Sequence, residues 1–368
     1  MLIRAAGLAL GPGLCWSLVA SGQFLCTFEM PESVIQFADM SFAYRYFDDG
    51  RTPGVELNGG WIAARLDSLY DSPDLGSTMW VDTRLDLKDG AAASWITSGS
   101  ASYRYYFAQD LPLFAYAGVR VDASTAFAQP GAEIRSGLGL GRFRDVTPLA
   151  KAYRIVYALY REGAMARPLR SESMIRVAEE ISRIDEYESF EVYAASIAEL
   201  LASLAQREFG SSAILTIREE LEDDSSNRFC GAILQGGVGY ELVDPYREAE
   251  DVVFVLSGDV GRALTADSQI RLRLSWSGAS DNFLGENTSL LELTYDAETP
   301  GSDEVKAGYS IQRLSGNESA PTTSQRATIE YALDVGRADL SIGLDFSRES
   351  IDLDWTIDFT VSVVLDLL

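Results

Sequence analysis

The sequence predicts a mainly β chain, an antiparallel up-and-down transmembrane β-barrel of about fourteen strands with an α-helical insert between strands 6 and 7. Three observations carry this. Apolar and polar residues alternate with a period of two through segment after segment; the period turns helical only between about 147 and 221; and no clean apolar run long enough for a membrane helix occurs.

The alternation fixes faces, because successive side chains on a strand point to opposite sides. In "IRLRLSWSG" (270–278), Ile270, Leu272, Leu274 and Trp276 share one side, and Arg271, Arg273, Ser275 and Ser277 the other. Strands are expected near 38–47, 54–66, 77–88, 91–107, 111–123 and 132–142, and again near 229–242, 251–262, 269–278, 289–296, 304–314, 325–335, 338–347 and 353–367. A soluble sandwich includes central strands with fewer charges. So many alternating segments fit a sheet with hydrocarbon on one side, which must close so that every backbone group is paired.

An even strand count puts both termini on one side of the membrane, and odd-to-even connections on the other. "GASDNFLGENTS" (278–289) and "SGNESAPTTSQ" (315–325) then read as outer loops, and "AQDLP" (108–112), "TADSQ" (265–269) and "GRAD" (336–339) as inner turns. Two connections run against this pattern: the tight outer "KDG" (88–90) and the long inner "DSLYDSPDLG" (67–76).

The first 21 residues, with Arg4 before an apolar stretch that ends in small residues, have the pattern of a secretory signal peptide cleaved near Ala20 or Ser21, which would remove Cys15. The expected division is signal peptide 1–21, first barrel part 22–144, periplasmic helical insert 145–225 and second barrel part 226–368.

Within the insert, Thr147 as N-cap, Pro148 and Gly163 bracket a first helix, with Leu149, Ala152, Tyr153, Val156, Leu159 and Tyr160 as its apolar stripe. A second starts at Ser171 and shows Met174, Ala178 and Ile181 on one side. A third runs from Phe190 through Leu204, and Ser211 caps a fourth carrying Ile214, Ile217 and Leu221. Such a subdomain braces the barrel, docks a periplasmic partner or gates the lumen.

Composition excludes several functions. With 55 acidic and 30 basic residues, net charge −25, a basic nucleic-acid surface is ruled out, and no nucleic-acid partner is expected. Histidine is absent, which excludes a Ser/His hydrolase. Three scattered cysteines, Cys15, Cys26 and Cys230, suit neither a zinc site nor a disulfide framework. Carboxylates such as Asp82 and Asp86, or Asp354 and Asp358, follow from a polar lumen side rather than from acid–base catalysis. A loop calcium site at Asp281, Asn282 and Glu286 lacks EF-hand spacing, so no catalytic residue, metal or cofactor is expected.

The expected lumen lining is Asp82, Arg84, Arg104 and Arg120, then Glu133, Arg135, Arg271 and Arg273, then Arg326, Glu330, Asp345 and Asp358. Both signs occur, so a mixed, weakly selective lumen leaning toward cations is expected. Gly137, Gly139, Gly237 and Gly239, in "SGLGLGR" and "LQGGVGY", form a lumen seam beside the insert, where the lumen is expected to be widest; barrel curvature is the other use of such glycines.

Taken together, the signal-like start, strands such as "STMWVDTRLDLK" and the terminal "WTIDFTVSVVLDLL" resemble Gram-negative outer-membrane β-barrel proteins of porin-like kind, over most of the chain outside 145–225. The resemblance implies an outer-membrane location, the lipid bilayer and the barrel-assembly machinery as partners, and passage of small solutes or small hydrophobic molecules. A non-transporting anchor whose insert binds a partner is the alternative. Members often end in an aromatic residue, whereas this chain ends in Leu367–Leu368. Tyr44, Tyr46, Tyr103, Tyr105, Phe107 and Trp355 have the placement of interface girdles.

Overall fold

A computed structural model describes residues 24–30, 32–47, 57–107, 112–223, 227–245, 252–283, 285–299, 303–315, 321–334, 338–349 and 355–366. The signal-peptide region, Cys15 and Leu367–Leu368 lie outside the described residues.

Before the helices come β1 (Ser33–Phe47), β2 (Leu57–Asp71), β3 (Leu75–Lys88), β4 (Ala91–Tyr106), β5 (Leu113–Ser124) and β6 (Gly131–Asp145). After them come β7 (Phe229–Val243), β8 (Val252–Thr265), β9 (Ser268–Ala279), β10 (Asn287–Glu298), β11 (Glu304–Ser315), β12 (Thr322–Asp334), β13 (Ala338–Glu349) and β14 (Thr356–Asp366). Each strand pairs with its sequence neighbours, and β14 returns to β1, antiparallel from Asp39↔Asp366 to Phe42↔Val363, so the sheet is a closed barrel. The shortest described strand, β14, has 11 residues. That is enough for a tilted strand to cross hydrocarbon, which takes roughly 9–11.

Two turns explain where the expected loop pattern failed. Asp89 and Gly90 both have positive φ, 53° and 75°, the geometry of a two-residue hairpin turn, so the β3–β4 connection is tight for a local reason. The expected long loop 67–76 is corrected. β2 stays paired with β3 out to Asp71↔Gly76, and the chain reverses only at Ser72–Asp74, where the Ser72 hydroxyl donates to Leu75 O (3.0 Å) and accepts from Leu75 N (3.1 Å).

The chain separates into two compact units. The larger holds most of the barrel. The smaller gathers the segment up to Met30, residues 144–230 and the hairpin Arg262–Ile270.

The smaller unit has α1 (Thr147–Arg161), α2 (Ser171–Ile181), α3 (Phe190–Ala205) and α4 (Ser211–Glu222). In it α1 packs on α2 and α4, and α3 on α2 and α4. Leu149, Ile155, Val156, Met174, Ile197 and Ile217 are fully buried in its core, joined by Leu25, Phe28 and Ala263.

Three local expectations are corrected. Thr147 is the first helical residue rather than the cap: Asp145 accepts from its N–H (2.8 Å), and the Thr147 hydroxyl accepts from Arg228 N (2.9 Å). Gly210, not Ser211, occupies the cap of α4. Tyr160 and Ile214 are exposed, while Ile155 and Ala213 are buried instead. In α4 the buried stripe is Ala213, Ile217 and Leu221, spaced at four and phased one residue away from Ile214.

A disulfide joins Cys26 to Cys230, 204 residues apart, and corrects the reading of the cysteines as unsuited to one. It fastens the Phe24–Met30 segment to the start of β7, where Leu25 and Phe28 enter the helical core.

Two predictions follow from these contacts. Replacing both Cys26 and Cys230 by Ser lowers the thermal transition of the helical unit by the equivalent of about 2–5 kcal/mol, followed by circular dichroism in detergent. Gly141 (φ 102°) and Gly231 (φ 142°) face each other's strand so closely that an added Cβ would overlap Ala232 O and Arg142 O. Gly231→Ala therefore prevents barrel assembly, seen as loss of heat-modifiable gel migration.

Candidate lumen

The two sides of the sheet differ sharply in chemistry. On β5 and β6, Val119, Val121, Ile134, Leu138 and Leu140 project away from the barrel interior, with Leu138 58% exposed. The same holds for Ile329 on β12 and for Ile357, Phe359 and Val361 on β14, Ile357 being 62% exposed. A continuous band of exposed large apolar side chains far exceeds the patches tolerated on a soluble protein. Of the expected girdle, Tyr44, Tyr103, Tyr105, Phe107 and Trp355 are exposed, and the side chain of Tyr46 lies outside those described. Among the described residues, no helix is long and apolar enough to cross a membrane.

The other side of the sheet is charged and internally neutralised. Four strands carry an arginine and a carboxylate two residues apart, hence on one face: Arg65–Asp67 on β2 (2.5 Å), Arg84–Asp86 on β3 (2.9 Å), Arg120–Asp122 on β5 (2.7 Å) and Glu133–Arg135 on β6 (2.6 Å). Arg84 also lies over the Trp61 ring, 5.1 Å from its centre. On the opposite arc Arg271 pairs with Asp259 (2.5 Å), and Arg273 lies between Asp259 (3.7 Å) and Glu292 (3.5 Å). Arg326 binds Asp345, and Glu330 stands opposite Lys306 in the β11–β12 register.

Asp82 stands opposite Arg65 and Ser98 in register. Asp358 stands opposite Asp345, its side chain outside those described. Sequence reasoning did not name Arg65, Asp67, Asp122, Asp259, Glu292 or Lys306. The Arg-x-Asp spacing, repeated on three strands, was the signal for half of them; Lys306 pairs with Glu304 two residues away on β11 (2.7 Å), and only Asp259 and Glu292 become partners through strand register.

The expectation of a lumen widest beside the glycine seam is overturned. Gly137 and Gly139 stand opposite Tyr116 and Phe114 on β5, and added Cβ atoms there would overlap those rings. Gly237 likewise abuts Tyr116, and Gly239 abuts Glu133. Phe114 and Tyr116 are themselves buried. The glycines therefore let β6 and β7 approach and bend beneath two aromatic rings, which occupy the space that the missing side chains leave.

Next to these rings lies a compact cluster. Asp71 accepts from the Tyr106 hydroxyl (3.0 Å) and faces Arg142 Nε (3.4 Å); the Arg142 guanidinium stacks on the Tyr106 ring at 4.1 Å and donates to Pro73 O (2.7 Å).

No protein-family model and no curated protein matches the chain. Solved structures do, in architecture. A BenF-like porin from Pseudomonas fluorescens Pf-5 matches 92% of this chain and 100% of its own at 8% identity and a TM-score of 0.35. The outer membrane protein OpdK from Pseudomonas aeruginosa matches 91% and 99% at 9% identity and 0.32, and OccAB1 from Acinetobacter baumannii 92% and 97% at 9% and 0.33.

The ion pairs differ in shielding, and this is testable. Asp259, 25% exposed in its side chain, serves two arginines, whereas Asp86, 40% exposed, serves one. Asp259→Asn is expected to destabilise the folded barrel by about 1–3 kcal/mol, and Asp86→Asn by less than about 1, measured from urea-dependent unfolding in detergent.

Proposed function

We propose that the chain is an outer-membrane channel for small solutes, a fourteen-stranded barrel whose charged interior is the solute path and which performs no chemistry on what it passes. The observation that carries this is the segregation of the closed sheet: exposed apolar residues along one side, and ion-paired charges along the other on β2, β3, β5, β6 and β8 to β13. Water and polar solutes have no path through hydrocarbon, so a sheet arranged this way is useful chiefly for what its interior admits.

Short connections support an orientation. Between the strand bounds, the even-to-odd connections at 72–74 and 266–267 are three and two residues long, and the odd-to-even connections at 280–286 and 350–355 are seven and six. In barrels of this kind the short side is periplasmic. The helices follow the sixth strand, so connectivity supports a periplasmic helical subdomain, with a periplasmic protein as its partner and the barrel-assembly machinery as the route of insertion. Paired charges of both signs support weak selectivity, since each fixed charge is screened by its neighbour.

One observation favours a second reading. Phe114, Tyr116 and the Arg142–Tyr106 stack fill a sector of the interior, as in barrels that serve as anchors. Purified full chain in planar lipid bilayers separates the two. Steady single-channel steps in 1 M KCl are expected of a channel; insertion confirmed by heat-modifiable migration without any steady current would contradict it.

A further inference from the structure

Arg104 departs from the pairing that governs the other lumen arginines. It lies on the inner side near the end of β4, opposite Gly76 of β3 and Tyr116 of β5 in register, and only 3% of it is exposed. Its Nε is buried and makes no hydrogen bond, and no carboxylate among the described residues forms an ion pair with it. Its guanidinium carbon stands 5.9 Å from the centre of the Phe114 ring. Gly76 makes room for it: a Cβ there would lie 3.0 Å from Arg104 Nε and 3.0 Å from Asp71 Oδ1. Asp71 is the acid of the neighbourhood, but it already serves the Tyr106 hydroxyl and Arg142. One carboxylate thus stands beside two guanidiniums and pairs with only one of them. A buried cation is costly unless a counter-charge meets it.

We propose that Arg104 is an anion-binding subsite at the short-turn end of the lumen, taking the carboxylate of a small organic solute, with Arg142 as the second cation of the site. Three features select that ligand. A guanidinium fork matches the two oxygens of a carboxylate. The cluster of Arg104, Arg142 and Asp71 carries one excess positive charge, which a monoanion balances and a phosphate dianion overshoots. Phe114, Tyr106 and Tyr116 line the place with apolar rings, which suit an organic body better than a bare inorganic ion.

This assignment rests on the channel reading, and its test keeps the two apart by measuring binding without current. Butyrate, its neutral analogue butyramide, and chloride are added at equal concentration to the full chain folded in detergent, and thermal unfolding is followed. Butyrate alone is expected to raise the transition temperature. Arg104→Gln is expected to abolish that rise and Arg104→Lys to retain part of it. In planar bilayers the permeability of butyrate relative to chloride is expected to fall several-fold in Arg104→Gln. Equal effects of butyrate and chloride on the wild-type protein, or none, would overturn the subsite whether or not the variants fold. A butyrate-specific shift with no wild-type current would overturn the channel and leave the subsite standing. Currents whose butyrate permeability is the same in wild type and Arg104→Gln would overturn the subsite and leave the channel.

Discussion

Hydrocarbon offers no partner for a backbone N–H or C=O, and the rest of this molecule follows from that deficit. A sheet edge left open in lipid costs several kcal/mol for each unpaired group, so the first strand must find the last. The β1–β14 register meets that requirement. Closure then fixes which side of every strand meets lipid. A period-two sequence becomes a molecule with an apolar outside and a polar inside, and a slip of one residue anywhere would put arginines into the bilayer.

Enclosure creates a second problem, which the interior side chains solve. Charges turned inward lose part of their hydration and cannot move far, so those on β2, β3, β5, β6 and β8 to β13 are held near an opposite charge. Arg-x-Asp on one strand is the most local solution, because residues two apart share a face and a guanidinium reaches across that gap. Asp259 between Arg271 and Arg273 is a solution that needs two strands. At the β6–β7 corner the difficulty is steric, and glycine meets it: at Gly141 and Gly231 the backbones come too close for a Cβ. The helical unit is held by different forces, a buried apolar core and the Cys26–Cys230 bond, typical of an oxidising compartment.

Much of this was legible in the sequence because alternation is a strictly local signal. Strand positions need only parity, and the helices only the change of period from two to three or four. What remained hidden depends on partners distant in sequence. No spacing rule brings Cys26 to Cys230, Asp259 to Arg271, or the Phe114 ring over Gly139. The glycine seam was read as open space, whereas the rings of Phe114 and Tyr116 lie against it, because a missing side chain tells nothing about what its neighbours send into the gap. Helix phase failed in the same way at Ile214, where apolarity alone did not choose between two adjacent stripes.

The central claim is that one side of the closed sheet is wetted by lipid and the other is not. Spin labels placed singly on cysteines introduced at Thr328, Ile329, Glu330 and Tyr331 of β12, in the protein reconstituted into vesicles, test it most directly. Oxygen, which partitions into lipid, is expected to relax the labels at Ile329 and Tyr331, and a water-soluble nickel chelate those at Thr328 and Glu330. Four positions with the same accessibility to both reagents, or the opposite alternation, would contradict the account.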